Sequence, residues 1–461
     1  MTKLRQTLWE AIQGKEKNFT SGSINRALLI LSIPMILEMV MESLFAVVDV
    51  FFVSRIGTDA IATVGLTETV VTIVYALAIG ISMGATAMVS RRIGEKKPEA
   101  AAVAAVQAIV LSAGVSLVIS LMGIFYAADI LRLMGGDEAL VASGATYTRI
   151  ILGTNIVITF LFLLNGIFRG AGDAFLAMRV LWLANICNII LDPLLILGIG
   201  PFPELGLKGA AIATSIGRGI GVSYQLYLLF SGASIIRLAR KHFILTWKII
   251  KRLAKVSLNG AWQFMISSLS WMVMMRITAD FGSEAVAGYT IAIRLIIFTI
   301  LPSWGLSNAA ATLVGQNLGA GEPERAEKSV WRAGYYNTLF LLGVSVLFFS
   351  FAPQLLSLFT EERAVLEAGV LSLRIICVGY VFFSYGMVIS QSFNGAGDTF
   401  TPMLVNIICF WFLQIPLALL MAKTLGMGLA GVCWAIVLSE TVLAAIFIVL
   451  FRRGRWKTVA I

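Results

Sequence analysis

The chain has 461 residues, 59% hydrophobic and 13% charged, with a mean hydropathy of +0.90. Soluble domains carry about 25% charge, so the composition excludes a soluble protein and indicates an integral membrane protein. The formal charge of +10 invites a nucleic-acid reading, which the placement of the basic residues excludes.

Residues 1–26 read as a polar, basic cytoplasmic tail with no cleavable signal. Within it Leu4, Leu8 and Ile12 share a helical face that either rests on the inner leaflet or frays. Twelve apolar windows of about 20 residues follow. They are 27–53, 61–89, 101–127, 140–167, 175–199, 208–230, 257–280, 285–313, 330–352, 365–392, 403–424 and 427–450. Of the 35 Lys and Arg, 25 fall in the two tails and the even-numbered loops, whereas the odd-numbered loops hold Arg55, Arg132, Lys208, Arg363 and Lys423. This is the positive-inside pattern, with both termini cytoplasmic and an even number of spans. The basic stretch Arg237 to Lys255 could bind anionic lipid, but reads better as part of that topology signal.

The first window carries Glu38, Glu42 and Asp49. At about 100° per helical residue they fall within about 40° of one another, an acidic stripe on an apolar helix. An ionised acid at mid-membrane costs roughly 2.5–3.5 kcal/mol, so the stripe faces protein or a watered cavity. Glu68 falls near the outer end of the second window, where a solvated carboxylate is unremarkable. In the fifth window Asn185, Asn188 and Asp192 precede Pro193, which frees a carbonyl oxygen from the helical ladder. Counting from the loops puts Asp49, Asn155, Asn188, Asp192 and Thr214 in one layer of the outer half of the first bundle. Two carboxylates with amide and hydroxyl oxygens suit a sodium ion, at Asp49, Asn188 and Asp192, or a shared proton; the other reading is that the amides bond neighbouring helices. Glu38 and Glu42 either meet a cationic substrate or pair with Arg218. Asn165 reads as a helix-end residue.

The second half offers one mid-span acid, Glu440, with Arg294 as its expected structural partner. Met265, Met272, Met274, Met275, Phe264, Trp271 and Trp304 either line a soft apolar cavity or pack between helices. Cys187, Cys377, Cys409 and Cys433 show no pairing or metal pattern, and the single histidine, His242, lies in the central loop. Beyond carboxylates there is no catalytic constellation, so an enzyme is not expected, nor a resident cofactor. Proton or sodium would be the coupling ion, small organic molecules and membrane lipids the partners, and the protein a monomer.

Internal repetition is the most specific signal. At an offset of 225 residues, Phe168-Arg-Gly-Ala-Gly-Asp-Ala-Phe175 matches Phe393-Asn-Gly-Ala-Gly-Asp-Thr-Phe400, and Gly94, Pro98 and Glu99 fall on Gly319, Pro323 and Glu324. These Gly-Ala-Gly-Asp turns follow no strand and fit no phosphate-loop spacing. Two six-span halves that enter from one side are parallel repeats, with a cleft on the axis between them. The expected architecture is all-α: a lobe at 27–231, a basic linker at 232–256, a second lobe at 257–451 and a tail at 452–461.

With these features the sequence resembles the multidrug and toxic compound extrusion (MATE) transporters. The resemblance rests on both Gly-Ala-Gly-Asp turns, the Asp49-Val-Phe-Phe-Val-Ser-Arg-Ile-Gly57 end of the first span, and Asn188 with Asp192. It implies a V-shaped pair of lobes exporting amphipathic, often cationic compounds against inward-moving protons or sodium. It also implies the DinF-like branch, whose coupling aspartates match Asp49 and Asp192, supported by Asn188 and Thr214. The other bacterial branch also uses acids on spans 7 and 10, and here those positions hold none. A lipid or lipid-linked-oligosaccharide flippase is the alternative; such proteins line the cavity with arginines, and only Arg218 and Arg294 lie well inside spans here.

Overall fold

A computed structural model describes residues 18–461, so the expected amino-tail face of Leu4, Leu8 and Ile12 lies outside the described residues. The first lobe contains α1 (Ile24–Ser54), α2 (Thr58–Gly94), α3 (Pro98–Leu133), α4 (Glu138–Gly153), α5 (Asn155–Ala171), α6 (Ala174–Ile196) and α7 (Gly206–Ser231). The second contains α8 (Trp247–Ala279), α9 (Ser283–Gly319), α10 (Pro323–Ser357), α11 (Arg363–Val378), α12 (Tyr380–Ala396), α13 (Phe400–Thr424) and α14 (Gly428–Arg452). No strand occurs among the described residues. α4 with α5 makes one span, and α11 with α12 makes its counterpart, bent by 57°. Eight described helices, nine with the bent pair, are long and apolar enough to cross a membrane by themselves; α1, α7 and α8 complete twelve spans by their place in the bundle.

The repeat is visible in local chemistry. Pro98 and Pro323 open α3 and α10, where a missing N–H costs nothing. Tyr126 and Phe351 interrupt those helices with matching non-helical backbone, and Arg149 and Arg374 each donate to a carbonyl beside the break, Ile124 O and Phe349 O, at 3.1 Å. The two Gly-Ala-Gly-Asp turns end α5 and α12 with Gly172 at φ +91° and Gly397 at φ +90°, a conformation that favours glycine. The turn reading of these motifs therefore holds.

Each lobe sends its first helix across to the other. Leu28, Leu31 and Met35 of α1 are buried in the core of the second lobe, while Leu253 of α8 is buried in that of the first. Small residues make the crossings possible: a Cβ on Gly305 would lie 2.7 Å from Met35 O, and one on Gly80, its repeat mate, 2.3 Å from Ser257 O. The lobes are bonded near the face that carries Phe19 and Trp456. There Gln316 Nε2 donates to Gly170 O at 3.0 Å, Thr312 to Arg169 O at 3.2 Å and Arg91 to Ala396 O at 3.3 Å. Above these bonds the V encloses a central cavity.

Candidate functional site

Three of the five residues expected in the polar layer meet directly. Asp192 and Asn188 lie one turn apart on α6 and are buried, at 0% and 1% exposure. The Asn188 amide is satisfied when its nitrogen faces Asp192 Oδ2 at 2.9 Å; its oxygen then accepts from the Thr214 backbone N–H at 3.0 Å and from Thr214 Oγ1 at 3.3 Å. Asp49 of α1 is half-buried and forms no hydrogen bond or close ion pair with any described residue, yet it interacts electrostatically with Asp192, Glu68 and Arg218. Asn155 stands apart. It opens α5 just after the helix break, and its amide donates to Ser116 O, Ser120 Oγ and Leu152 O, which commits it to α3 and α4.

Arg218 links this layer to the cleft. It is 3% exposed, donates to Tyr75 Oη at 3.2 Å, lies 3.7 Å from Glu42 Oε1 and stacks over the Phe45 ring at 5.4 Å. Glu42 also accepts from Asn185 Nδ2 at 3.1 Å, and both Glu42 and Tyr75 face the central cavity. Of the expected partners for Arg218, the structure selects Glu42. Glu38 instead pairs with Arg169 at 3.2 Å.

The cavity floor corrects the reading of Asn165 as a helix-end residue. Asn165 is buried; it donates to Glu38 Oε1 at 3.0 Å and accepts from Gln225 Nε2 at 2.7 Å. Only part of the signal is local: Asn165 and Arg169 are one turn apart on one face and Gln225 is a polar residue inside a span, but nothing in the sequence joins them to one another or to Glu38. The apolar wall is Phe162, Phe264, Leu301 and Trp304. Met265 and Trp271, the other cleft candidates, are not on it. Trp271 shares the face of Phe264 but stands about 10 Å farther along α8 and packs on the second lobe's core, as do Met274 and Met275. Paired charges over aromatic walls can hold an amphipathic organic molecule while the cavity stays near neutral.

A sequence profile of the MatE family matches residues 34–194 and again 261–420, one match in each lobe. The chain belongs to the MatE family of transporters. The probable multidrug resistance protein NorM of Thermotoga maritima is 27% identical over 439 residues, covering 95% of this chain and 94% of its own length. The FAD transporter of Shewanella oneidensis is 30% identical over 404 residues, covering 87% and 88%. Among solved structures, the outward-facing conformation of a multidrug resistance MATE family transporter of the MOP superfamily matches with a TM-score of 0.90 at 28% identity, over 96% of this chain and 99% of that one.

As a MATE protein the chain is lopsided in charge. In the second lobe Glu440 of α14 forms no ion pair among the described residues; Arg294, its expected partner, is exposed on α9. No group of three or more His, Cys, Asp or Glu able to hold a metal occurs among the described residues.

Proposed function

We propose that this MATE protein is a multidrug antiporter of the plasma membrane, with both termini cytoplasmic. It exports amphipathic, often cationic compounds against inward-moving protons or sodium. The observation that carries the reading is the electrostatic coupling of Asp192 to Asp49 and of Asp49 to Arg218, with Arg218 in turn paired with Glu42 at the cavity. The name of the Thermotoga maritima relative, the multidrug resistance transporter among the solved structures and the positive-inside pattern support it. With the bonded face cytoplasmic, the conformation is outward-facing and the acid layer is on the external side of the cavity.

The Asn188 amide favours a proton over sodium. Facing an ionised Asp192 it offers N–H, which cannot ligate a cation; turned over, its oxygen would stand 2.9 Å from Asp192 Oδ2, where a protonated carboxyl donates. The amide is thus a two-position reader of the Asp192 proton. Neutralising Asp49, which Asp192 biases through its coupling to it, removes negative charge acting on Arg218, strengthens the hold of Arg218 on Glu42 and changes the cavity wall that the substrate meets. Substrate and cation then alternate by rocking of the lobes.

Dye export from proteoliposomes, with an imposed proton gradient compared with an imposed sodium gradient, tests this. Asp49→Asn and Asp192→Asn are expected to abolish gradient-driven export while the protein stays folded. Wild-type export from both variants would overturn the proposal.

A further inference from the structure

The segment joining the lobes is more than a charged tether. After a short 3-10 turn at Arg240–His242 it runs Phe243-Ile-Leu-Thr-Trp247, and Phe243, Ile244, Leu245 and Trp247 are between 49% and 67% exposed. Four large apolar side chains left open on a connecting segment need a non-aqueous neighbour.

Its depth identifies that neighbour. Gln107, fully buried on α3, donates to Ile244 O at 2.9 Å and accepts from the Thr246 N–H at 3.0 Å, which pins the segment against α3. Gln107 lies about 13 Å along α3 from Pro98. The 36 residues of α3 measure about 54 Å against a hydrocarbon core of about 30 Å, so a centred helix protrudes about 12 Å at each end. The pinned segment therefore lies at the boundary of the hydrocarbon.

Beside it is a cavity between the end of α2, the start of α3 and the start of α8. Its rim carries Arg92, Lys248 and Arg252, and its wall is Val103 and Ala104. Arg92 is paired with Glu95 at 2.8 Å, whereas Lys248 and Arg252 form no hydrogen bond or ion pair with any described residue, which leaves two uncompensated cations. An apolar slot at the hydrocarbon edge under two free cations has the complementarity of a phospholipid with a net negative headgroup.

We propose that this cavity is a binding site for an anionic phospholipid of the leaflet on the side of the termini. Its phosphate lies on Lys248 and Arg252, with the Phe243–Trp247 segment set in the acyl boundary beside it. The site joins the first lobe, through α2 and α3, to the first helix of the second lobe.

Native mass spectrometry of the delipidated full-length protein, titrated with phosphatidylglycerol or phosphatidylcholine of matched chains, tests the site. Phosphatidylglycerol is expected to bind at least about tenfold more tightly than phosphatidylcholine. Lys248→Gln with Arg252→Gln should weaken phosphatidylglycerol about 30-fold, and Lys251→Gln on the same turn should leave it in place. Equal affinity for the two lipids, no loss in the double variant, or displacement of phosphatidylglycerol by millimolar inorganic phosphate would each overturn the proposal. Should the double variant fail to fold, the comparison of the two lipids on the wild type decides.

Discussion

Gly94 of α2 and Gln316 of α9 touch so closely that a Cβ on Gly94 would lie 2.0 Å from the Gln316 carbonyl oxygen. The repeat returns the contact in mirror roles: a Cβ on Gly319 would lie 2.1 Å from Arg91 O, and Arg91 and Gln316 are themselves repeat mates. Two crossed glycine contacts thus set how near the lobes come at the bonded face. Gly94→Ala should force them apart, at an overpacking cost of about 1–3 kcal/mol, equivalent to a roughly 5- to 150-fold loss of this conformation. Spin labels at Lys96 and Lys328, both exposed on that face, read the change. A distance distribution matching wild type would mean that the glycines do not set closure.

Glu95, in the loop after α2, sits at the same face. Burial pushes its carboxyl up, but hydrogen bonds from Arg92 and Lys97 outweigh burial and hold it below the usual 4.5. A folded-state value below the unfolded one means the stabilisation is complete above about pH 4.5 and is lost only as pH falls through the lower folded value. Glu95 therefore cannot make lobe separation vary between pH 5 and pH 8. Any such variation seen with the same spin labels should persist in Glu95→Gln and vanish in Asp192→Asn; the reverse pattern would move the sensor to the loop.

Loss of Arg218 should cost stability. Arg218→Met leaves the part-exposed Glu42 with Asn185 alone and removes the cation acting on Asp49 and Glu68, an expected destabilisation of about 1–3 kcal/mol. Adding Glu42→Gln should restore at least about 1 kcal/mol, because the stranded charge goes with it. Unfolding in detergent measures both. Equal stability of the single and double variants would show that the pair is not coupled.

Gln225 supports the cavity floor without touching the cavity. Gln225→Leu strips Asn165 Oδ1 of its donor and loosens the amide that bonds Glu38. A loss of about 1–3 kcal/mol in stability is expected. Substrate KM should rise while export still follows the imposed gradient, and a loss of gradient dependence would place Gln225 in coupling.

How far the sequence disclosed this arrangement depends on the kind of signal. The repeat was legible because turn chemistry is local: the residues of the Gly-Ala-Gly-Asp turns and their αL glycines need no partner to be recognised. The acidic stripe was legible from helical period, and Arg218 with Glu42 from depth. The Glu38, Asn165, Gln225 and Arg169 cluster was not, because α1, α5 and α7 are far apart in sequence and Arg169 counts equally well as a topology charge. The crossing of α1 and α8 into opposite lobes has no local signature at all, since an apolar helix face does not say which lobe it meets.

Glu440 tests whether coupling is confined to the first lobe. It is an acid inside a span with no ion-pair partner among the described residues, Arg294 included. Removing its ionisable group strands no counter-charge, so Glu440→Gln should unfold no earlier than wild type and gains whatever an unpaired carboxylate costs there, up to roughly 2.5–3.5 kcal/mol. Proton-driven dye export should continue at a rate within about twofold of wild type, well inside the tenfold that 1.4 kcal/mol of barrier represents. Loss of export in Glu440→Gln, to the extent expected for Asp49→Asn, would show that the second lobe carries a coupling acid of its own, and the proposal of a first-lobe site alone would fail.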